Sequence, residues 1–523
     1  MGPSSVPLED AHVNLGRGEP EQIIWDSTGL HDAGTGFQPQ IDGSQSNWDQ
    51  QDFEPMQDQP GLQTIQACST ITPVSFEEEM VEDDELFINL FYANFHVAHP
   101  FLVPRGLYFS QHYPSFLRLV VHLIGCHFSG TACSETLESI AYKAIKKAQE
   151  DGQTGFVLVQ ALLLFSIALH ARNDFNKSVS SLSQAVSLAI ELGMYRKDFA
   201  FIHGSGSPVL EESLRRTWWE LFVTDGFMAA LQHRTSFRCY TVETDVPLPC
   251  DEEMYVEGAF MTEPMTLTQF DSRIYVEEEL PFSSFSYRIE AVRILARALA
   301  VAWIHDIHRD QILAIDNALA AWSHYLDLGK AEATNTSGDV DDMLLQAHML
   351  IQYTTMYLHF PRSDIVGSIP TATMTMPQSS LLPVYSRSMH GIKAVEASKR
   401  LGNLAALQDS VQKHTPFFLN GLLLSGVVQL SACSLRPSGF QQHFRDRLCL
   451  SAGVLKSLSP VWALARSTWR TLNAITLDTL AKNRQPMAGQ TKSLGDSAIE
   501  IESAALSMAD LPWMEIPAWA AGE

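Results

Sequence analysis

From Leu86 onward, apolar residues recur at the three- and four-residue spacing of a helix face, in runs parted by short Gly- or Pro-bearing breaks. Strict alternation of apolar and polar positions is almost nowhere found, so the pattern predicts an all-α fold over residues 86–482. Residues 156–169, FVLVQALLLFSIAL, are apolar on every side, which predicts a helix at the centre of the stack. Asn173 or Asp174 is placed to cap the next helix, where Val179, Leu182, Val186 and Ile190 form one stripe and Gly193 marks the end. Ser207 before Pro208, with Glu211 and Glu212 in the first turn, predicts a third start through cap, fixed φ and dipole complementarity; that helix runs to about Gln232.

Further helical patterns cover 285–308, 310–328, 340–359, 383–404, 416–434, 438–457 and 459–482. The polar stretch 330–340 and the Pro/Ser/Thr-rich stretch 361–382 read as surface loops. Residues 1–80 are rich in Gly, Pro, Gln, Asp and Ser and hold no sustained period. Such a segment buries too little apolar area to offset a chain entropy of about 1–2 kcal/mol per residue, so disorder is expected. Within it Trp25, Phe37, Trp48 and Phe53 sit among acidic residues, a pattern that suits an activation segment folding on a partner; the plainer alternative is a solvated tail with incidental aromatics. Residues 483–523 lose periodicity and read as an irregular C-terminal tail.

Charge sharpens this division. Residues 1–85 hold 18 acidic residues against one basic residue, Arg17, so they carry −17 of the net −25. No dense basic run follows to offset repulsion from a phosphate backbone, which makes direct DNA binding unexpected. The seven cysteines are odd in number and widely spaced, as expected of reduced intracellular thiols. The apolar stretches 156–169 and 417–433 are short and interrupted by Gln160, Ser166, Asn420, Ser425 and Gln429, so no membrane span is expected.

Candidate enzyme chemistry is thin. Asp83, Asp84 and Glu85 raise a class I terpene synthase, in which clustered carboxylates bind Mg²⁺, but they are expected to precede the first helix. The second metal motif of such enzymes would need a glutamate where Asn173, Asp174 and Ser178 lead to Ser181. His96 with His99, and His305 with His308, are spaced to share a metal, yet neither pair has an evident third ligand, and packed or surface histidines are the expectation. GSGSP at 204–208 lies between helices and reads as a linker. No cofactor or metal is expected.

One stretch carries identity. LEESLRRTWWELFVTDGFMAALQHR (210–234), followed by TDVPLPCD (244–251), resembles the most distinctive part of the middle homology region of fungal Zn2Cys6 transcription factors. VQALLLFSIALHARNDFNKSVSSLSQAVSLAIELGMYR (159–196) is similar to the preceding family helices, and 344–362, 414–433 and 455–469 to later ones, so the resemblance covers about 86–482. The signature residues are Arg215, Arg216, Trp218, Trp219, Asp225, Asp245, Pro247 and Pro249, in structural or regulatory roles. Leu210, Leu214, Trp218, Leu221 and Phe222 are expected to form a buried stripe, with Arg215 and Arg216 pointing partly outward. Asp225 continues that stripe and needs a partner, expected to be an arginine from a neighbouring helix. The prolines of Asp245–Pro249 hold an extended strap across the helices.

The resemblance implies a nuclear, non-enzymatic transcriptional regulator of a fungal biosynthetic gene cluster. It also implies a partner-binding or ligand-responsive helical region, a small-molecule effector being one class of ligand. The family's DNA reader is a cluster of six cysteines holding two zinc ions, and only Cys68 precedes residue 126 in this sequence. Two expectations follow: recruitment through a DNA-bound partner such as a full-length zinc-cluster relative, with the acidic segment contacting the transcription machinery, or a cluster exon lying upstream of this sequence. The rival class is a helical scaffold with no transcriptional role, which should show a fixed repeat, and none is found.

Overall fold

The computed structural model describes residues 81–484 except 131–134, 261–262, 277–279, 303–308, 327–329, 335–337, 367–383, 408–410 and 436–440. All described residues belong to one unit, Val74–Glu523, and among them the only β-pairing is an isolated bridge between Thr334 and Val340. The expectations on Trp25, Phe37, Trp48, Phe53, Cys68, Cys133, His305, His308 and residues 485–523 fall outside the described residues. In chain order the helices are α1 Val81–Leu90, α2 Ser115–Cys126, α3 Glu135–Glu150, α4 Phe156–Ala171, α5 Phe175–Leu192, α6 Phe199–His203, α7 Pro208–Leu231, α8 Arg238–Thr241, α9 Glu252–Glu257 and α10 Leu267–Ser272. They continue as α11 Ser284–Ala302, α12 Arg309–His324, α13 Asp342–His359, α14 Val384–Ala405, α15 Phe418–Leu435, α16 Gln441–Leu458 and α17 Ala463–Arg484.

Helices α4 and α15 are the two hubs. From Leu158 to Ala171 every residue of α4 is buried, because α2, α5, α7 and α17 surround it. Helix α15 is enclosed in the same way by α13, α14, α16 and α17. By length and composition Phe418–Leu435 could cross a bilayer, contrary to the expectation that it is too short; 83% of it is buried inside the protein, which accounts for its apolarity. Helices α11, α13, α14 and α15 pack in succession, and α17 turns back onto α4, so one continuous apolar core runs from Ile88 to Ile475.

The local signals act as their chemistry requires. The Asp174 carboxylate accepts from the Lys177 N–H at 3.2 Å, Ser207 caps α7 ahead of Pro208, and Gly193 ends α5 at φ +77°. The buried face of α5 is broader than the expected stripe: Leu182 and Val186 are buried as expected, joined by Ser178, Ser181, Ala185 and Ala189, while Val179 and Ile190 are half-buried. The small residues let the backbones of α4 and α5 close up. The Ser181 hydroxyl donates to Leu162 O at 2.9 Å, and Ser166 and Ser178 each donate to the other's carbonyl at 2.8 Å. A second difference concerns the acidic run. Helix α1 starts at Val81, so Asp83, Asp84 and Glu85 lie in its first turns and not ahead of it, and Glu85 pairs with Arg105 at 3.4 Å.

Two glycines test the packing. A Cβ on Gly125 in α2 would come within 2.0 Å of the Phe87 carbonyl oxygen, where backbone must move, whereas Gly453 on the exposed face of α16 has nothing within 4 Å. Gly125→Ala is therefore expected to destabilise by about 2 kcal/mol or more, and Gly453→Ala to stabilise by about 0.5–1 kcal/mol. Chemical denaturation midpoints of the two variants should move in opposite directions.

Candidate functional site

Helix α7 carries the signature, and it has no outward face beyond its first turn. Every residue from Glu212 to Leu231 is buried, because α4, α5, α6, α8 and α11 pack around it and the extended segment 243–251 closes over it. Arg215 and Arg216, expected to point partly outward, are only 7% and 1% exposed. The expectation rested on a single apolar stripe; a helix enclosed on all sides must instead pair its charges internally.

Glu212 makes that pairing local. Its carboxylate accepts from Arg215 Nε and Arg216 Nε, both at 2.9 Å, and from the Cys250 N–H at 2.9 Å. Arg216 then turns its fork to two other segments: Nη1 donates to Pro100 O at 3.1 Å and to the Glu252 carboxylate, and Nη2 donates to Cys250 O at 3.0 Å. Its guanidinium is held between the rings of Tyr255 and Phe285, at 3.9 and 4.5 Å from their centroids. Burial works against the charge, and Glu252 and Glu212 more than offset it, so Arg216 stays protonated.

The extended segment is fastened along its length. Asp245 accepts from the Lys197 N–H at 2.7 Å, Trp219 Nε1 donates to Pro247 O at 3.0 Å, and the Leu248 N–H donates to Met265 O at 2.7 Å. The Ser283 hydroxyl donates to Pro249 O at 2.5 Å. Trp218 is fully buried and lies beside Tyr195. Pro247 and Pro249 therefore expose carbonyls, not side chains, to the bonds that hold the strap.

One turn beyond Arg216, Glu220 sits at the centre of a second cluster. It accepts from Arg288 at 2.6 and 3.0 Å and from His99 Nδ1 at 2.7 Å. Burial alone would raise the Glu220 carboxyl, but Arg288 and His99 outweigh it and hold it at about 2. Burial lowers His99, so it remains neutral and donates one N–H. His96 is also buried and donates from Nε2 to Leu102 O at 3.1 Å, so the two histidines serve separate partners.

Asp225 differs from the expectation as well. Its carboxylate accepts from the backbone N–H of Cys239 at 3.0 Å instead of meeting an arginine side chain, and burial raises its pKa. The turn after α7 brings α8 back across it, so a main-chain donor arrives where a cation was expected. Asn173, Asp174, Ser178 and Ser181 do not form a metal face, since Asp174 caps α5 and both serines bond to α4. Among the described residues no group of three or more His, Cys, Asp or Glu could hold a metal ion, and Cys126, Cys239, Cys250, Cys433 and Cys449 are free thiols.

A further polar cluster, not anticipated from sequence, joins α12, α13 and α14. His359 Nε2 donates to Asp316 at 3.2 Å, His390 Nδ1 lies 2.7 Å from His359 Nδ1, and Lys393 pairs with Asp316. The contacting pairs are 31 to 77 positions apart in the chain, and no periodicity signals such a meeting.

This helical unit, with a charged signature helix locked inside it, defines a class. Residues 88–324 match the family model described as the fungal specific transcription factor domain. It is similar to a protein named C6 finger domain transcription factor iacK from Pestalotiopsis fici, 30% identical over 414 residues. That alignment spans 78% of this chain and 61% of the relative, so the chain accounts for about three-fifths of the relative's length. No solved structure matches the chain. Helices α13 to α17 lie beyond the matched residues yet share the same core.

Glu220 and Asp225, both on α7, predict opposite behaviour. Glu220, held well below its unfolded value of 4.5, contributes stability that is present above about pH 4.5 and lost as pH falls towards about 2. Glu220→Gln should cost about 3 kcal/mol at neutral pH, by leaving Arg288 without its counter-ion, and should flatten the acid limb of a stability–pH curve. Asp225→Asn keeps an acceptor for Cys239 N–H and removes a charge that burial disfavours, so a change under about 1 kcal/mol is expected. Arg216→Lys keeps the charge but loses the planar fork and should cost about 2–4 kcal/mol. Urea titrations between pH 3 and 8 measure all three.

Proposed function

We propose that the protein is a nuclear transcriptional regulator of a fungal biosynthetic gene cluster, with its helical unit acting as a partner-binding module. The observation that carries this reading is the family match over residues 88–324. The relative's name as a transcription factor supports it. The polar side chains of α7 support a non-catalytic role, because Glu212, Arg216, Glu220 and Asp225 are consumed in bonds that hold the fold.

In this reading promoter contact is indirect. The net charge of −25 opposes binding to a phosphate backbone, so a DNA-bound zinc-cluster relative brings the protein to its promoters while the acidic segment 1–80 engages the transcription machinery. Chromatin immunoprecipitation of the tagged chain, expressed from its own promoter, tests this with and without the nearest zinc-cluster relative. Discrete promoter peaks that vanish without the relative are expected. Peaks that persist would replace indirect recruitment with direct binding or another recruiter, and an absence of peaks together with exclusion from nuclei would overturn the regulatory reading.

A further inference from the structure

A groove of about 1130 Å³ opens beside the Arg216 clamp, bounded by residues 92–107, the end of the strap with α9, the start of α11, and residues 330–343. Its apolar lining includes Val97, Pro100, Val209 and Phe285, while seven carboxylates and only two cations, Arg105 and Lys330, complete it. Both cations are already engaged: Arg105 bonds Asn89 at 2.8 Å and Glu85 at 3.4 Å, and Lys330 bonds the Ser284 hydroxyl at 2.8 Å and lies 3.9 Å from Asp251. Glu253 and Glu257, one turn apart on α9, are exposed at the groove.

His96 lines the groove although it is only 6% exposed, and its Nε2–H is spent on Leu102 O. Burial lowers it to about 4, so the ring is neutral and adds no positive charge to the groove. A carboxylate-rich mouth over apolar walls suits a donor-only cation on a long apolar stem.

We infer that this groove docks a basic peptide segment of a partner protein, with arginine or lysine side chains laid along its apolar lining. The long stems of those residues cover apolar surface while their heads stay with the carboxylates. Concave, low-dielectric walls of one sign raise the local concentration of such a ligand and repel nucleic acid and acidic peptides. The groove is also preformed: Arg216 pins Pro100, Cys250 and Glu252 from beneath, so little ordering is left for the partner to impose. The inference does not depend on what the partner does in transcription.

The test is fluorescence anisotropy on the full chain, using a fluorescein-labelled peptide with arginine at every third position and its glutamate counterpart. Glu253→Lys with Glu257→Lys reverses charge in the groove; Glu191→Lys with Glu243→Lys makes the same charge change at exposed positions outside it. The groove variant is expected to weaken arginine-peptide binding about fivefold or more and the control less than about twofold. Equal losses in the two variants, no binding by the unaltered chain at low salt, or tighter binding of a DNA duplex than of the arginine peptide would each overturn the docking site. Circular dichroism melts confirm that both variants fold.

Discussion

The fold depends on Glu212 meeting Arg216 one turn further along α7. An arginine that is 1% exposed is tolerable only when its charge and all its donors are answered, and Glu212 answers the first while fixing the plane of the guanidinium. With that plane set, the outer nitrogens can reach Pro100, Cys250 and Glu252, three sites on two other stretches of chain. The same carboxylate accepts from the Cys250 N–H, so the strap is bonded to both members of the pair. Closing the strap in this position is also what presents Pro247 O to Trp219 and Pro249 O to Ser283.

The second cluster works differently. Arg288 belongs to α11 and His99 to the segment after α1, so Glu220 ties α7 to two elements that touch it from different sides. An apolar residue at this position could pack equally well, but it would not select which side chain of α11 lies opposite. The bidentate Arg288–Glu220 pair does, because two parallel N–H···O bonds admit only one register of the helices. Asp225 completes the series with a bond to main chain, which sets where the turn into α8 falls.

Much of this was legible in the chain. The caps at Asp174 and Ser207, the stop at Gly193 and the all-round burial of α4 follow from local chemistry that the sequence displays. The orientation of α7 was not legible, because a helical wheel assumes an exposed side, and the neighbours that enclose α7 include α11, which lies more than fifty residues downstream. The spacing of Glu212 to Arg215 and Arg216 was visible as a helical ion-pair pattern. Its burial, and the arrival of Glu252, Tyr255 and Phe285 around it, depended on contacts between distant segments. Asp225 shows the same limit: a lone carboxylate on an apolar stripe announces that a partner exists, and says nothing of whether that partner is a side chain or a backbone N–H.

A signature this deeply buried constrains where recognition can happen. Arg215, Arg216, Trp218, Trp219 and Asp225 cannot touch another molecule without unfolding α7, so any recognition surface lies on elements that the signature supports from below. The wall of the carboxylate-rich groove is such a surface, since Glu252 faces outward from the same bond that holds Arg216. Substitutions on the outer face of α9 can then change the charge of the groove at little cost to stability, while changes at Arg216 would remove fold and groove together. Within this fold, conserving the core and varying the acidic rim are compatible because the rim residues Glu253 and Glu257 make none of the bonds that fasten the strap.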